Sequence, residues 1–402
     1  MQNNLEMTKH IKNIVWLGDL GFPVGMANIQ RVILLCKALY EAGIKTTVIS
    51  KFGVHGKDAE NKVSKKGVYQ NIEYIYASGT PFRPDSYIKR NFLKLIGSVN
   101  QIMILYKLKK DDRIDAAILR TDRLHELMYY KFISKLLRFP LVFSYVEKYS
   151  SFESNKKLIK RIEYCLYENV GLKLMDGILP ISDYLMDFVQ AKAPKIPRLK
   201  IPMITDCSRF GNVPRDCDQR YFSFCGGATY LEIIVFVINS FEKIHDNMIH
   251  LYLVVNGSDN MMNKVRHEIT KSVKADKIRL FSRLSDDDLN ELFVNALGLL
   301  IPLRPSIQDK ARFPHKLGEY LSTGNPVITN KFGELEKLFT DGENGLVAND
   351  YNIDQFAIKM WYILDNPEEA RNIGKKGKQL AKKYFDYKIY GPEVKKFLEK
   401  VL

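Results

Sequence analysis

The chain has 402 residues, 46% hydrophobic and 27% charged, with a formal net charge of +15. That length exceeds one ordinary core, so two domains of roughly 200 residues each are expected, and the composition excludes a disordered chain. No apolar run reaches the ~18 residues that a membrane span needs, and MQNNLEMTKHIKNIVWLGD lacks a signal-peptide apolar stretch, so a cytosolic protein is expected.

Short apolar strands alternate with amphipathic helices, the pattern of parallel α/β sheets. In the first half Asn13–Leu17, Thr46–Lys51, Ile72–Ala77, Ala116–Leu119, Leu141–Tyr145 and Gly177–Pro180 read as strands, with helices at Ala27–Ala42 and Leu124–Leu137. Gly43 is a helix stop. The segment Lys195–Pro214, containing Pro197, Pro202 and Pro214, reads as a linker because proline disfavours both helix and ladder. A second series follows: Tyr221–Cys225, Leu251–Val255, Ile278–Phe281, Leu299–Leu303 and Pro326–Thr329. After Asp365 the chain reads as helix to its end, with a break near Tyr390–Pro392. The expected fold class is α/β, two doubly wound Rossmann-like domains facing a central cleft at their strand C-terminal ends.

Charge is unevenly shared. Residues 1–200 carry 33 Lys and Arg against 19 Asp and Glu, so nearly all the excess lies in the first half. It is clustered, as at Lys89/Arg90/Lys94, Lys107/Lys109/Lys110 and Lys156/Lys157/Lys160/Arg161. A one-sided basic domain suits an anionic partner, an acidic membrane surface or lipid phosphate above all. Nucleic acid would answer the charge too, but no motif that reads RNA or DNA accompanies it. Cys36, Cys165, Cys207, Cys217 and Cys225 lie far apart without a CxxC, which points to reduced thiols and no zinc site.

Two stretches carry candidate chemistry. Gly18, Gly21 and Gly25 lie between the first strand and the first helix, where glycines let backbone approach a ligand; neither GxGxxG nor a Walker loop is present. The richer stretch runs from Arg304 through Asp309, Arg312, Phe313, Pro314, His315 and Lys316 to Glu319. Pro314 suits the first position of a helix, which would leave the N–H groups of His315, Lys316 and Leu317 for a diphosphate, aided by the Lys316 charge. Glu319, three residues on, can accept ribose hydroxyls. The plainer alternative is a surface Lys316–Glu319 ion pair worth under ~1 kcal/mol.

PHKLGEYLSTGNPVI, with the Gly333-Glu334 and DGENGLV segments after it, resembles the donor-domain signature of family 4 glycosyltransferases. PVGMANIQR and the DGILPIS segment extend the resemblance over nearly the whole chain. It implies a retaining, metal-independent enzyme of the GT-B fold that uses a nucleoside diphosphate sugar as co-substrate, with no further cofactor. It also implies an acceptor-binding domain at 1–205, a donor-binding domain at 206–385, and a terminal helix at 386–402 packing back on the first domain. By that resemblance Glu319 holds the donor ribose. Lys316 and the backbone of Phe313, Pro314 and His315 face its diphosphate and sugar, Arg283 and Leu284 contact the base, and Gly21 and Gly25 approach the phosphates.

Two departures stand out. The position eight before Glu319 is Ala311 instead of a carboxylate, with Asp309 the nearest substitute. Gly227 and Glu232 stand where the family has an arginine and a lysine that grip the diphosphate, so Arg304, Arg312 and Lys316 would have to compensate. Glu147 and Asp122, after two first-domain strands, are candidates to orient an acceptor hydroxyl or are simply solvated. The basic first domain suits a polyprenyl- or lipid-linked acceptor at the inner face of the membrane, in bacterial cell-surface polysaccharide synthesis. A nucleotide-sugar epimerase of the same fold and a non-catalytic sugar-nucleotide binder are the alternatives.

Overall fold

The computed structural model describes residues 10–18, 21–25, 27–56, 63–152, 158–215 and 220–402. Asp19, Leu20 and Met26 of the first glycine loop, Lys156 and Lys157 of the basic clusters, and Cys217 lie outside the described residues. The chain forms two compact units, one ending at Ile204 and including Tyr387–Leu402, the other Thr205–Asp386.

The first unit holds a seven-stranded sheet. Its strands are β1 (Asn13–Leu17), β2 (Lys45–Ser50), β3 (Lys66–Tyr69), β4 (Ile72–Tyr76), β5 (Ala116–Leu119), β6 (Leu141–Tyr145) and β7 (Gly177–Pro180), in the order β3-β4-β2-β1-β5-β6-β7. All pairs are parallel except β3 with β4. Residues of β5 and β6 are all buried, which explains why parallel strands read as unbroken apolar runs. The edge strand β3 has no such signal: its residues KGVY are mostly exposed, and only pairing with β4 makes them a strand.

Helices α1 (Ala27–Glu41) and α14 (Tyr387–Val401) pack on each other over a core that includes Trp16, Val48, Ile118 and Val142. Gly391 permits that approach, since a Cβ there would lie 2.2 Å from the Ala38 carbonyl oxygen. The expected break near Tyr390–Pro392 is therefore corrected. The interruption falls at residues 385–386, between α13 (Pro367–Tyr384) and α14, and Pro392 sits inside α14. Packing of the helix on α1 outweighs the one backbone bond that proline removes. Buried Arg31 of α1 donates to the carbonyls of Ile201, at 2.7 Å, and Pro202.

The proline-rich segment also pairs more than expected. Ile178 donates to the Pro197 carbonyl at 2.9 Å, and Leu199 and Ile201 donate to Ile178 and Pro180, so this stretch runs beside β7. Pro197 presents its carbonyl where the ladder needs an acceptor.

The second unit has six parallel strands: β8 (Tyr221–Gly227), β9 (His250–Asn256), β10 (Ile278–Phe281), β11 (Gly298–Ile301), β12 (Val327–Asn330) and β13 (Leu346–Ala348). Their order is β10-β9-β8-β11-β12-β13, which reverses direction between β8 and β11. Apolar α6 (Leu231–Glu242) and α12 (Ile353–Asp365) share its main core with α7 (Asp259–Lys271). Both units are thus Rossmann-like doubly wound α/β folds.

Candidate active site

In a doubly wound sheet the strand C-termini at the point of reversal form the ligand edge. In the second unit these are the ends of β8 and β11, and two groups of charged side chains gather there.

The first group is built by α10 (Leu317–Thr323) and the turn before it. Helix α10 starts at Leu317, whose N–H is taken by the Pro314 carbonyl at 3.2 Å. The expectation that Pro314 opens the helix and leaves Leu317 N–H free is therefore corrected: residues 314–316 form a turn. Gly324, at φ 81°, ends the helix in the left-handed region. Gly318 holds it down, because a Cβ there would come within 2.9 Å of Thr205. Lys316 Nζ then meets Glu319 Oε2 at 2.7 Å, with side chains only 25% and 16% exposed, so this is no surface pair. Burial pulls the Lys316 ammonium down, but Glu319 and Cys225 more than offset it and its pKa ends raised. Arg209 Nη1 lies 4.0 Å from the other Glu319 oxygen. Burial pushes the Cys225 thiol up to about 11.

The second group centres on Asp309 in α9 (Ile307–Ala311), which Ser306 caps through a 3.2 Å bond from the Asp309 N–H. Asp309 is fully buried. Its carboxylate accepts from Arg304 Nε and Nη2 at 3.0 Å each and lies 3.0 Å from Arg312 Nη2. It is thus a structural anchor for two arginines, which corrects its reading as a substitute site carboxylate. Arg304 Nη1 reaches Glu232 Oε2 at 3.2 Å, and its pKa is raised, first by the Asp309 bond. The Tyr230 ring lies beneath both guanidiniums, 5.7 Å from that of Arg304 and 4.4 Å from that of Arg312. Two cations and two anions balance, so the arginines bring less free charge to this edge than the sequence implies.

The other candidates are spread out. Arg283, exposed and at φ 56°, follows edge strand β10, and its N–H donates to Asn256 Oδ1 at 2.8 Å; Leu284 beside it is half-buried. Phe313 is buried, its ring against Phe385, while Pro314 and His315 after it are half-buried. In the first unit Gly21 takes φ 100°, and a Cβ at Gly25 would strike the Ile29 side chain at 2.4 Å. Asp122 is exposed with Arg123 3.8 Å away, and Glu147 is half-buried just beyond β6. Sequence reasoning missed Arg209, Cys225 and Tyr230 as neighbours of the charged groups. Only Tyr230 had a signal, as the aromatic that closes the loop after Gly226-Gly227. Among the described residues no three His, Cys, Asp or Glu side chains gather as a metal-binding set.

The second-unit candidates named from the sequence, together with Cys225 and Tyr230, all fall inside one matched segment; Arg209 lies just before it. Residues 212–380 match the family model of glycosyl transferases group 1. Among curated proteins, the chain is similar to an uncharacterised glycosyltransferase of Methanocaldococcus jannaschii, 26% identical over 128 residues, 32% of this chain and 35% of that one. It is equally similar to the MMP α-(1→4)-mannosyltransferase of Mycolicibacterium hassiacum, 26% identical over 129 residues, 32% of this chain and 30% of that one. The matches thus span about a third of the length of these relatives. Among solved structures, Anabaena HepE in complex with UDP-glucose aligns with a TM-score of 0.69 at 13% identity, over 97% of this chain and 100% of that one. The fold is that of the GT-B glycosyltransferases.

Proposed function

We propose that the protein is a retaining glycosyltransferase that moves a sugar from a nucleoside diphosphate donor to a hydroxyl acceptor. The observation that carries this reading is the Lys316–Glu319 pair at 2.7 Å, set beside the reversal point of the sheet and inside the matched segment. A lysine held charged there offers a cation to a departing diphosphate, and a fixed carboxylate offers an acceptor to ribose hydroxyls. In such a reaction the diphosphate oxygen takes the acceptor's proton as the new glycosidic bond forms, so the protein mainly positions substrates and stabilises negative charge. No metal is required in this scheme. The nucleotide sugar held by HepE supports a donor of this class. The basic first unit supports a polyprenyl- or lipid-linked acceptor at the inner, anionic face of a cell membrane, in cell-surface polysaccharide synthesis.

A screen of nucleoside diphosphate sugars for thermal stabilisation, followed by detection of released nucleoside diphosphate with an added acceptor, tests it. A donor that binds the folded protein raises Tm, and raises it further as its concentration exceeds its Kd. No stabilisation by any donor would sink the reading. The balanced Arg304–Glu232–Asp309–Arg312 cluster favours one second reading, a non-catalytic binder of sugar nucleotides; donor binding without diphosphate release across a broad acceptor panel would select it.

A further inference from the structure

Three consecutive helices of the first unit share an unusual surface. They are α2 (Tyr87–Lys110), α3 (Leu124–Leu137) and α4 (Leu158–Asn169), with α3 lying against both others. On α2, Ile88, Phe92, Leu95, Val99, Met103 and Tyr106 are each more than half exposed. Their spacings of four, three, four, four and three residues keep them within about 80° of arc. The buried side of the same helix, Gly97, Gln101, Leu105 and Leu108, points the opposite way. Helix α3 repeats the pattern with exposed Met128, Phe132 and Leu136, and α4 with exposed Ile159, Ile162 and Leu166. Of the 26 exposed large apolar side chains among the described residues, 15 lie between Tyr87 and Val170 on these helices and their ends. A monomeric soluble surface scatters such residues singly, and a continuous patch marks an interface.

Charge decides what covers it. The 24 residues of α2 include six Lys and Arg and no Asp or Glu. Lys135, Lys160 and Arg161 are exposed on the neighbouring helices, while of their three acids Glu126 and Glu168 are taken by Lys51 and Lys148 and Glu163 is half-buried. The first unit as a whole carries 37 Lys and Arg against 21 Asp and Glu, and the second 24 against 25. A second copy of this face would set cation against cation. An apolar stripe flanked by Lys and Arg is instead the make-up of a helix that lies in a lipid headgroup layer, apolar side down, with its cations among lipid phosphates. Among the described residues no helix is long and apolar enough to cross a membrane.

We infer that α2, α3 and α4 form an in-plane docking face for an anionic lipid bilayer, with the α2 stripe inserted among the acyl chains. This rests on the membrane-side reading of the acceptor for its purpose, though its test reads lipid binding alone. The full-length protein is floated with vesicles of phosphatidylcholine, or of phosphatidylcholine and phosphatidylglycerol in equal parts. The wild type should bind the anionic vesicles. The triple variant Phe92→Ser, Leu95→Ser and Val99→Ser should bind them at least about tenfold more weakly. Release of nucleoside diphosphate by the wild type and this variant with a short water-soluble acceptor should match. Lys89→Glu with Lys107→Glu and Lys110→Glu should weaken binding to anionic vesicles alone, most at low salt. Should the serine variant fold poorly, Phe92→Trp gives a second reading: its emission should shift to the blue with anionic vesicles and be quenched by lipids brominated on their chains.

Failure of the wild type to bind either vesicle would overturn the membrane-side reading and this face together. Undiminished binding by the serine variant, or an indole at position 92 that ignores lipid, would overturn the face alone. A wild-type dimer that the serine variant turns into monomers, with lipid binding unchanged, would reassign the patch to self-association.

Discussion

Arg304 Nη1 lies 3.2 Å from Glu232 Oε2, so the carboxylate that stands where relatives are expected to carry a lysine is paired with an arginine from beyond β11. The contact joins the two strand ends between which the sheet reverses. It leaves Arg304 held by Asp309 and Glu232 at once, with little charge to spare for a phosphate.

Glu232→Gln should therefore tighten nucleoside diphosphate binding. The Glu232 side chain is 68% exposed, so solvent screens much of its charge and the gain should be modest, about two- to fivefold. Calorimetric titration with UDP measures it. Weaker binding in the variant would mean that Glu232 itself contributes to the donor site.

Glu319→Gln should weaken donor binding by about 1–3 kcal/mol, because a charge-assisted bond to a hydroxyl becomes a neutral one. The amide oxygen can still accept from Lys316, so the fold should persist, as a thermal melt would show. Donor affinity equal to wild type would remove Glu319 from the site.

Lys316→Ala should lower kcat more than it raises KM if the ammonium acts on the departing diphosphate. Its raised pKa fixes the sign of the pH effect. The stability gained from pairing with Glu319 is complete below the ordinary lysine value of 10.5 and is lost as pH climbs through the raised value. Any alkaline loss of activity centred near pH 8 must then come from another group, and its survival in Lys316→Ala would confirm that.

Asp309→Ala should be costly to stability, by about 3–5 kcal/mol, since it leaves two largely buried guanidiniums without their shared carboxylate. Chemical denaturation reads this. A loss under about 1 kcal/mol would mean that Arg304 and Arg312 find solvent or new partners easily.

Chelation should leave transfer intact, because among the described residues no Asp-x-Asp pair directly follows the end of a strand, where a metal would bridge a diphosphate. Abolition by EDTA with rescue by magnesium or manganese would contradict the metal-independent scheme.

Much of this protein was legible in one dimension. β1, β5, β6 and β7 occupy the stretches that their apolar runs mark out, because strands covered on both faces must be largely apolar. The spacing of Lys316 and Glu319 on one side of a turn and short helix already implied that they meet. Strand β3 and the continuity of α14 through Pro392 were hidden, since each depends on a partner segment far away in the chain: β4 pairs with the first and α1 packs on the second. Charge balance was hidden for the same reason. Sequence shows Arg304, Arg312, Asp309 and Glu232 as four separate ions, and only folding brings Glu232, 72 residues upstream, against Arg304. Which lysines, arginines and apolar side chains face outward together on α2, α3 and α4 was likewise decided in three dimensions. Helical period sets the stripe on each helix, but only tertiary packing selects which side is buried and sets the three helices beside one another.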